Sequence, residues 1–162
     1  KALKVGVYSL LDKAKYRDDY ILAIQEYLKD LDEDDIESLR RFKEKYYNKP
    51  ITYDVAKNTL RSSLLESLAQ LEFKEKNYND ALNYINEAIE IADITQFMIK
   101  LKIDILLKKK KKNDIIEFLN NIKKSVDYQS VKDMTISEVV ETTSKDILRK
   151  YFVKFEVDKL LK

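Results

Sequence analysis

The sequence predicts an all-α chain built as a helical repeat, and three observations carry that expectation. First, its 162 residues include one glycine and one proline, where average usage would put roughly eleven glycines. The tight turns of hairpin-built folds have almost no residues to make them, which leaves little room for an all-β architecture. Second, apolar residues recur at three and four positions nearly everywhere, the helical period, with short polar interruptions. Third, LLESLAQLEFKEKNYNDALNYINEA lies over MIKLKIDILLKKKKKNDIIEFLNNI at an offset of 34 residues without a gap. A fixed period of that size marks stacked supersecondary units. Asn79 and Asp80 fall on Asn113 and Asp114, Tyr84 on Phe118, Ile85 on Leu119 and Asn86 on Asn120, while Leu65, Leu71 and Phe73 fall on Ile99, Ile105 and Leu107. Each unit reads as helix, short turn and second helix.

About eight helices are expected. The first runs from Ala2 to Lys15 and the second from Asp19 to Leu31. A third, an extra helix after the first pair, runs from Asp35 to Tyr47, with Asp34 and Glu37 at the spacing of a capping box. Pro50 then disfavours helix at Lys49, so Asn48 to Ile51 is the clearest linker in the chain. Thr52 and Asp54 restart a long helix towards Lys76. A fifth covers Tyr78 to Ala92, a sixth Thr95 to Leu107 and a seventh Asp114 to Ser125. Thr135 and Glu138 form a second capping box for a C-terminal capping helix reaching Leu161. Tyr151 to Val157 also alternates partly, as a strand would, but Val140, Ile147, Tyr151 and Phe155 share a helical face, which favours helix. Residues 1–162 are expected to form one helical-repeat domain, with a sub-boundary at 48–52 and the clearest repeats at 62–95 and 96–129.

Composition narrows the chemistry. There is no cysteine and no histidine, so thiol catalysis, Ser-His-Asp hydrolysis and imidazole- or thiolate-bound zinc have no residues to use. Gly6 alone cannot make a phosphate-cradling loop. No metal or cofactor is expected. A carboxylate-only or lysine-based enzyme stays open; its candidates would be carboxylate pairs such as Asp18 with Asp19, or Glu87 with Glu90, but 29 acidic residues make such pairs common by chance, and the chain is read as non-enzymatic. Lys plus Arg total 31 against 29 Asp plus Glu, a net charge of +2, so no global field announces a nucleic-acid or membrane partner. No apolar stretch is long enough for a transmembrane span. The absence of disulfides leans towards a reducing compartment, with export after loss of a leader left open.

The repeat resembles the tetratricopeptide family, whose 34-residue units have this helix-turn-helix plan. The best-matching unit spans Ser62 to Thr95. Leu65, Leu68 and Ala69 stand where the first helix keeps a large residue, a Leu and a small residue, and Asn77 and Tyr78 resemble the pair in the turn. Ala81, Ile85 and Ala88 stand at the small, apolar and small positions of the second helix. A diverged unit covers Lys4 to Glu37, with Leu10, Leu11, Asp19, Tyr20, Ala23 and Tyr27 in place. A third, Gln96 to Gln129, keeps the apolar pattern but carries Ile103, Ile115 and Ile122 at the small positions. Glu72 and Lys76 replace the family's usual aromatic and glycine, and the closing proline is absent.

The resemblance implies a concave surface lined by the first helices of the pairs. Its groove positions would be Val5, Tyr8, Asp12, Lys15 and Tyr16 in the first unit, and Ser63, Glu66, Gln70, Phe73 and Lys74 in the second. In the third they would be Phe97, Lys100, Asp104, Leu107 and Lys108. Rings interleaved with both signs of charge suit a peptide or helical segment of another protein; the bland alternative is that Tyr8, Phe73 and Phe97 are core. Asp12, Gln70 and Asp104 stand where carboxylate-gripping members keep Asn, which disfavours that mode. The expected role is therefore a protein-interaction or scaffold module, with a peptide-sensing regulatory fragment as the alternative. Homo-oligomers stay open. Lys108 to Lys112 could meet phosphates, but reads better as a solvated turn at a helix C-terminus, so nucleic acid is disfavoured. Asp30 to Asp35 lacks the glycine and terminal Glu of a calcium loop and reads as helix punctuation.

Overall fold

A computed structural model describes residues 1–10 and 15–125. Asp12, the helix expected from Thr135 and the ambiguous segment 151–157 lie outside the described residues. Among the described residues the chain is wholly helical: α1 (Ala2–Leu10), α2 (Arg17–Lys29), α3 (Glu33–Tyr47), α4 (Tyr53–Lys74), α5 (Tyr78–Ile91), α6 (Gln96–Lys108) and α7 (Lys112–Ser125). The described residues divide into two compact units, one up to residue 93 and the other from residue 94.

The starts of α3, α4 and α6 follow side chains that satisfy first-turn amides. Thr52 accepts from the Val55 amide to open α4, and Thr95 accepts from Met98 to open α6. The cap of α3 differs from the expected box. Asp32, not Asp34, stands outside the helix in extended conformation and accepts from the amides of Asp34 and Asp35. Asp34 is already in the first turn, and Glu37 turns away to bind Arg40 and Arg41. With four acids in a row, spacing alone could not choose among them, and each of the three inside the helix suits its positive end.

The linker at Pro50 is held at both ends. Asn48 ends α3 in the left-handed region at φ 50°, where Asn is tolerated. The Ile51 amide donates to Glu44 Oε1 at 3.1 Å, and Arg40 donates to the Ile51 carbonyl at 3.4 Å while also binding Glu44. Two guanidinium hydrogen bonds to Glu37, each 2.7 Å, fix Arg40 from the other side. Those contacts hold the Glu37 carboxyl down to about 2.

In the first unit, Tyr20, Ile24 and Tyr27 of α2 meet Leu64, Leu68 and Leu71 of α4 in one buried cluster, so these two helices pack directly although α3 lies between them in sequence. α4 also packs on α5. Ala69, Ala81 and Ala88 are fully buried, and Ser62 Oγ donates to the Ala88 carbonyl at 3.1 Å, an approach that small side chains permit. Glu72 is buried too. Arg17 reaches it at 3.1 Å and the Asn77 side chain donates to it through Nδ2 at 2.7 Å, so a charge stands where the family resemblance expects a ring. In the second unit α6 packs on α7, and Met98, Ile99, Ile103, Ile105 and Leu106 of α6 and Ile115 and Phe118 of α7 are buried.

The turns that close α4 and α6 have one geometry. Lys76 has φ 64° and Lys110, 34 residues on, has φ 56°. In the first, the Lys76 amide donates to Phe73 O at 3.1 Å and Asn77 to Glu72 O at 2.9 Å. In the second, Lys110 donates to Leu107 O at 3.0 Å and Lys111 to Leu106 O at 2.9 Å. Both are Schellman ends with a lysine at the left-handed position that glycine usually takes.

Candidate functional site

α4 presents three stripes. Leu64, Leu68 and Leu71 pack towards α2, and Ser62, Leu65, Ala69 and Glu72 share the side that meets α5. Thr59, Ser63, Glu66, Gln70, Phe73 and Lys74 occupy the third, at the i, i+3, i+4 spacing of one face. The hydroxyls there are turned back on their own helix: Thr59 donates to Val55 O at 2.8 Å, Ser63 to Thr59 O at 3.0 Å and Ser67 to Ser63 O at 3.1 Å. Glu66 stands out. It is half-buried, makes no hydrogen bond or ion pair among the described residues, and burial raises its carboxyl above the ordinary range. A desolvated carboxylate without a cation is unfavourable in the free protein and favourable towards any ligand that brings one.

Gln70 and Phe73 are half-buried beside it and Lys74 is exposed. The Phe73 ring leans on Tyr78 at 5.7 Å, which fixes it without covering it. At the equivalent positions of α6, Phe97 is exposed, Lys100 pairs with Asp104 at 2.6 Å, and Leu107 and Lys108 are exposed. Tyr8 is packed against the α2–α4 cluster and lies 6.3 Å from Tyr16. Of the expected groove residues, Glu66, Gln70, Phe73 and Lys74 share one face of α4, and Phe97, Lys100, Asp104 and Lys108 share one face of α6.

The carboxylate pairs have other engagements. Asp18 binds Arg17 at 2.9 Å and Glu87 binds Arg61 at 3.0 Å. Among the described residues no group of three acidic side chains is gathered to hold a metal ion, and no helix is long and apolar enough to cross a membrane. Lys108 to Lys112 spans the α6–α7 turn with most of its ammoniums in water. Within the acidic run, Asp32 caps α3 and Asp30 pairs with Lys1.

One cluster escaped the sequence reading. At the end of α3, Tyr46 touches Phe42 on one side and Tyr47 on the other, with Phe42 and Tyr46 largely in solvent. The available signal was two rings four apart on a helix otherwise dominated by charges. Comparison with protein families, with characterised proteins and with solved structures returns no match to this chain.

Proposed function

We propose that this chain is a non-catalytic interaction module of tetratricopeptide-like plan. It holds a peptide or helical segment of another protein on the outward face of α4, the first helix of the pair in the first unit. The plan is supported by the 34-residue offset, which is repeated in the Schellman ends at Lys76 and Lys110 and in the buried positions Leu65 and Ile99, Ala69 and Ile103, Ala81 and Ile115. The binding role rests on one observation, the half-buried, unpaired Glu66 on a face with Gln70, Phe73 and Lys74. A partner Lys or Arg would supply the missing charge, Phe73 the apolar contact and Gln70 a backbone-directed hydrogen bond.

A photo-crosslinking residue at Gln70 should capture the partner from native extract, and its affinity can then be measured. Glu66→Gln should weaken that partner about tenfold, about 1.4 kcal/mol. The sign of the stability effect is opposite. A carboxyl whose pKa is raised on folding loses stability as pH rises through that pKa, so the amide variant should melt at the same or a higher temperature at neutral pH and lack that loss. Full affinity in Glu66→Gln would end the reading. Phe73→Ser should also weaken binding, by more than about 2 kcal/mol. A Phe73→Ser variant that unfolds would make Phe73 a core residue.

A further inference from the structure

Exposed aromatic rings in contact with one another are unusual on a free surface, because each leaves apolar area in water. On α3, Phe42 is 65% exposed and Tyr46 56% exposed. Their rings stack at 6.0 Å between centroids and 18° between planes, and Tyr47 meets Tyr46 edge-on at 5.0 Å. Cations surround them. Lys43 and Lys49 each lie 5.8 Å from the Tyr47 ring centre, Arg41 is exposed at the neighbouring position, and Lys45 is exposed and makes no hydrogen bond or ion pair among the described residues. The acids of this helix end are already taken, Glu37 by Arg40 and Arg41 and Glu44 by Arg40 and the Ile51 amide.

The patch is held in shape before any partner arrives. The Arg40–Glu44–Ile51 contacts lock the end of α3 to the linker, and Lys43 donates to Thr59 of α4 at 3.0 Å. Rigid rings lose little entropy on binding.

We propose that the C-terminal end of α3 docks an acidic protein segment carrying apolar anchors, which lays aliphatic or aromatic side chains on Phe42 and Tyr46 and its carboxylates near Lys45 and Lys49. Charge complementarity selects this occupant. A second copy of the same face would set like charges against one another across a two-fold axis. A nucleic acid would find both arginines, the forked phosphate readers, engaged by carboxylates, and Glu37 set among them. This surface goes beyond the α4 face and does not depend on it.

The test is selection of random dodecapeptides displayed on phage against the intact chain, with counter-selection on Phe42→Gln/Tyr46→Gln, whose substituted side chains lie in solvent. The counter-selection removes binders of the α4 face, so failure of one site is distinguishable from failure of the other. Enriched peptides should combine Asp or Glu with Leu, Phe or Trp. Synthesised and labelled, they should lose at least about tenfold in affinity on the ring variant while its melting temperature is unchanged. Lys45→Glu/Lys49→Glu should likewise reject them and accept the same peptides with Lys in place of the acids. Enrichment of basic or purely polar peptides, or of none, overturns the proposal. So does tighter binding of a twelve-nucleotide oligo-dT, or a dimer in sedimentation that the ring variant dissolves.

Discussion

The ends of α4 and α6 share a backbone and differ in almost everything attached to it. Each closes with the same pair of amide-to-carbonyl bonds and a lysine in the left-handed region. Yet the first turn reads Lys74, Glu75, Lys76, Asn77, Tyr78 and the second is five lysines. Around the first, Glu72 is tied to Arg17 and Asn77; at the second, the matching residue is the buried Leu106. The termination geometry is therefore a property of the helix end and of one left-handed residue, and the remaining positions are free to specialise. One turn is spent on fastening α2, α4 and α5 together, the other on presenting charge.

The helix pairs above these turns differ in the same way, and their cores give the largest test. Ala81 and its counterpart Ile115 are both buried at the start of the second helix, so the two positions should have opposite size requirements. Ile115→Ala should cost roughly 2–5 kcal/mol through the cavity it leaves, and Ala81→Leu roughly 1–3 kcal/mol through overpacking, both read from denaturant melts. Equal tolerance of Leu at both sites would mean the two helix pairs are spaced alike. A smaller effect sharpens the likeness of the turns: Lys76→Gly and Lys110→Gly should each raise stability by about 0.5–1 kcal/mol, relief of left-handed strain less the added chain entropy. A gain at one turn alone would break the equivalence. Smallest of all, replacing three of Lys108 to Lys112 other than Lys110 with Gln should leave the melting temperature nearly unchanged. A protein that binds RNA at physiological salt and loses it on that change would give the lysine turn a different purpose.

What was legible in the sequence were features written in local spacing. Pro50 marked the linker, Thr52 and Thr95 the helix starts, and the 34-residue offset anticipated two turns of one shape. Ala81 and Ala88, both buried, stand at the positions where the tetratricopeptide resemblance implies small residues. The cap of α3 did not, because Asp32 and Asp34 carry the same side chain and only the backbone dihedral distinguishes them. Nor did the Arg17–Glu72 pair, whose members are 55 residues apart and individually look like surface charges. Half-burial of Glu66 is equally invisible, since its neighbours along α4 are the same whether its face is covered or open. Phe42 and Tyr46 recur at the spacing that a core stripe would show, and only the packed fold reveals that this stripe faces water.

The Arg40–Glu44–Ile51 staple has a consequence for the order in which the chain folds. Its contacts join residues at most eleven apart, so closing the corner between α3 and α4 costs little loop entropy. The packing of α2 on α4, by contrast, must close a segment containing all of α3. Once the corner exists, that segment is no longer a free coil but a folded arm that carries α4 back towards α2, and the search for the Tyr27–Leu64 cluster is shortened. Conservative substitutions at Arg40 or Glu44 should therefore slow folding, while those at Leu64 or Leu68 should mainly hasten unfolding, a division that φ-values measure directly.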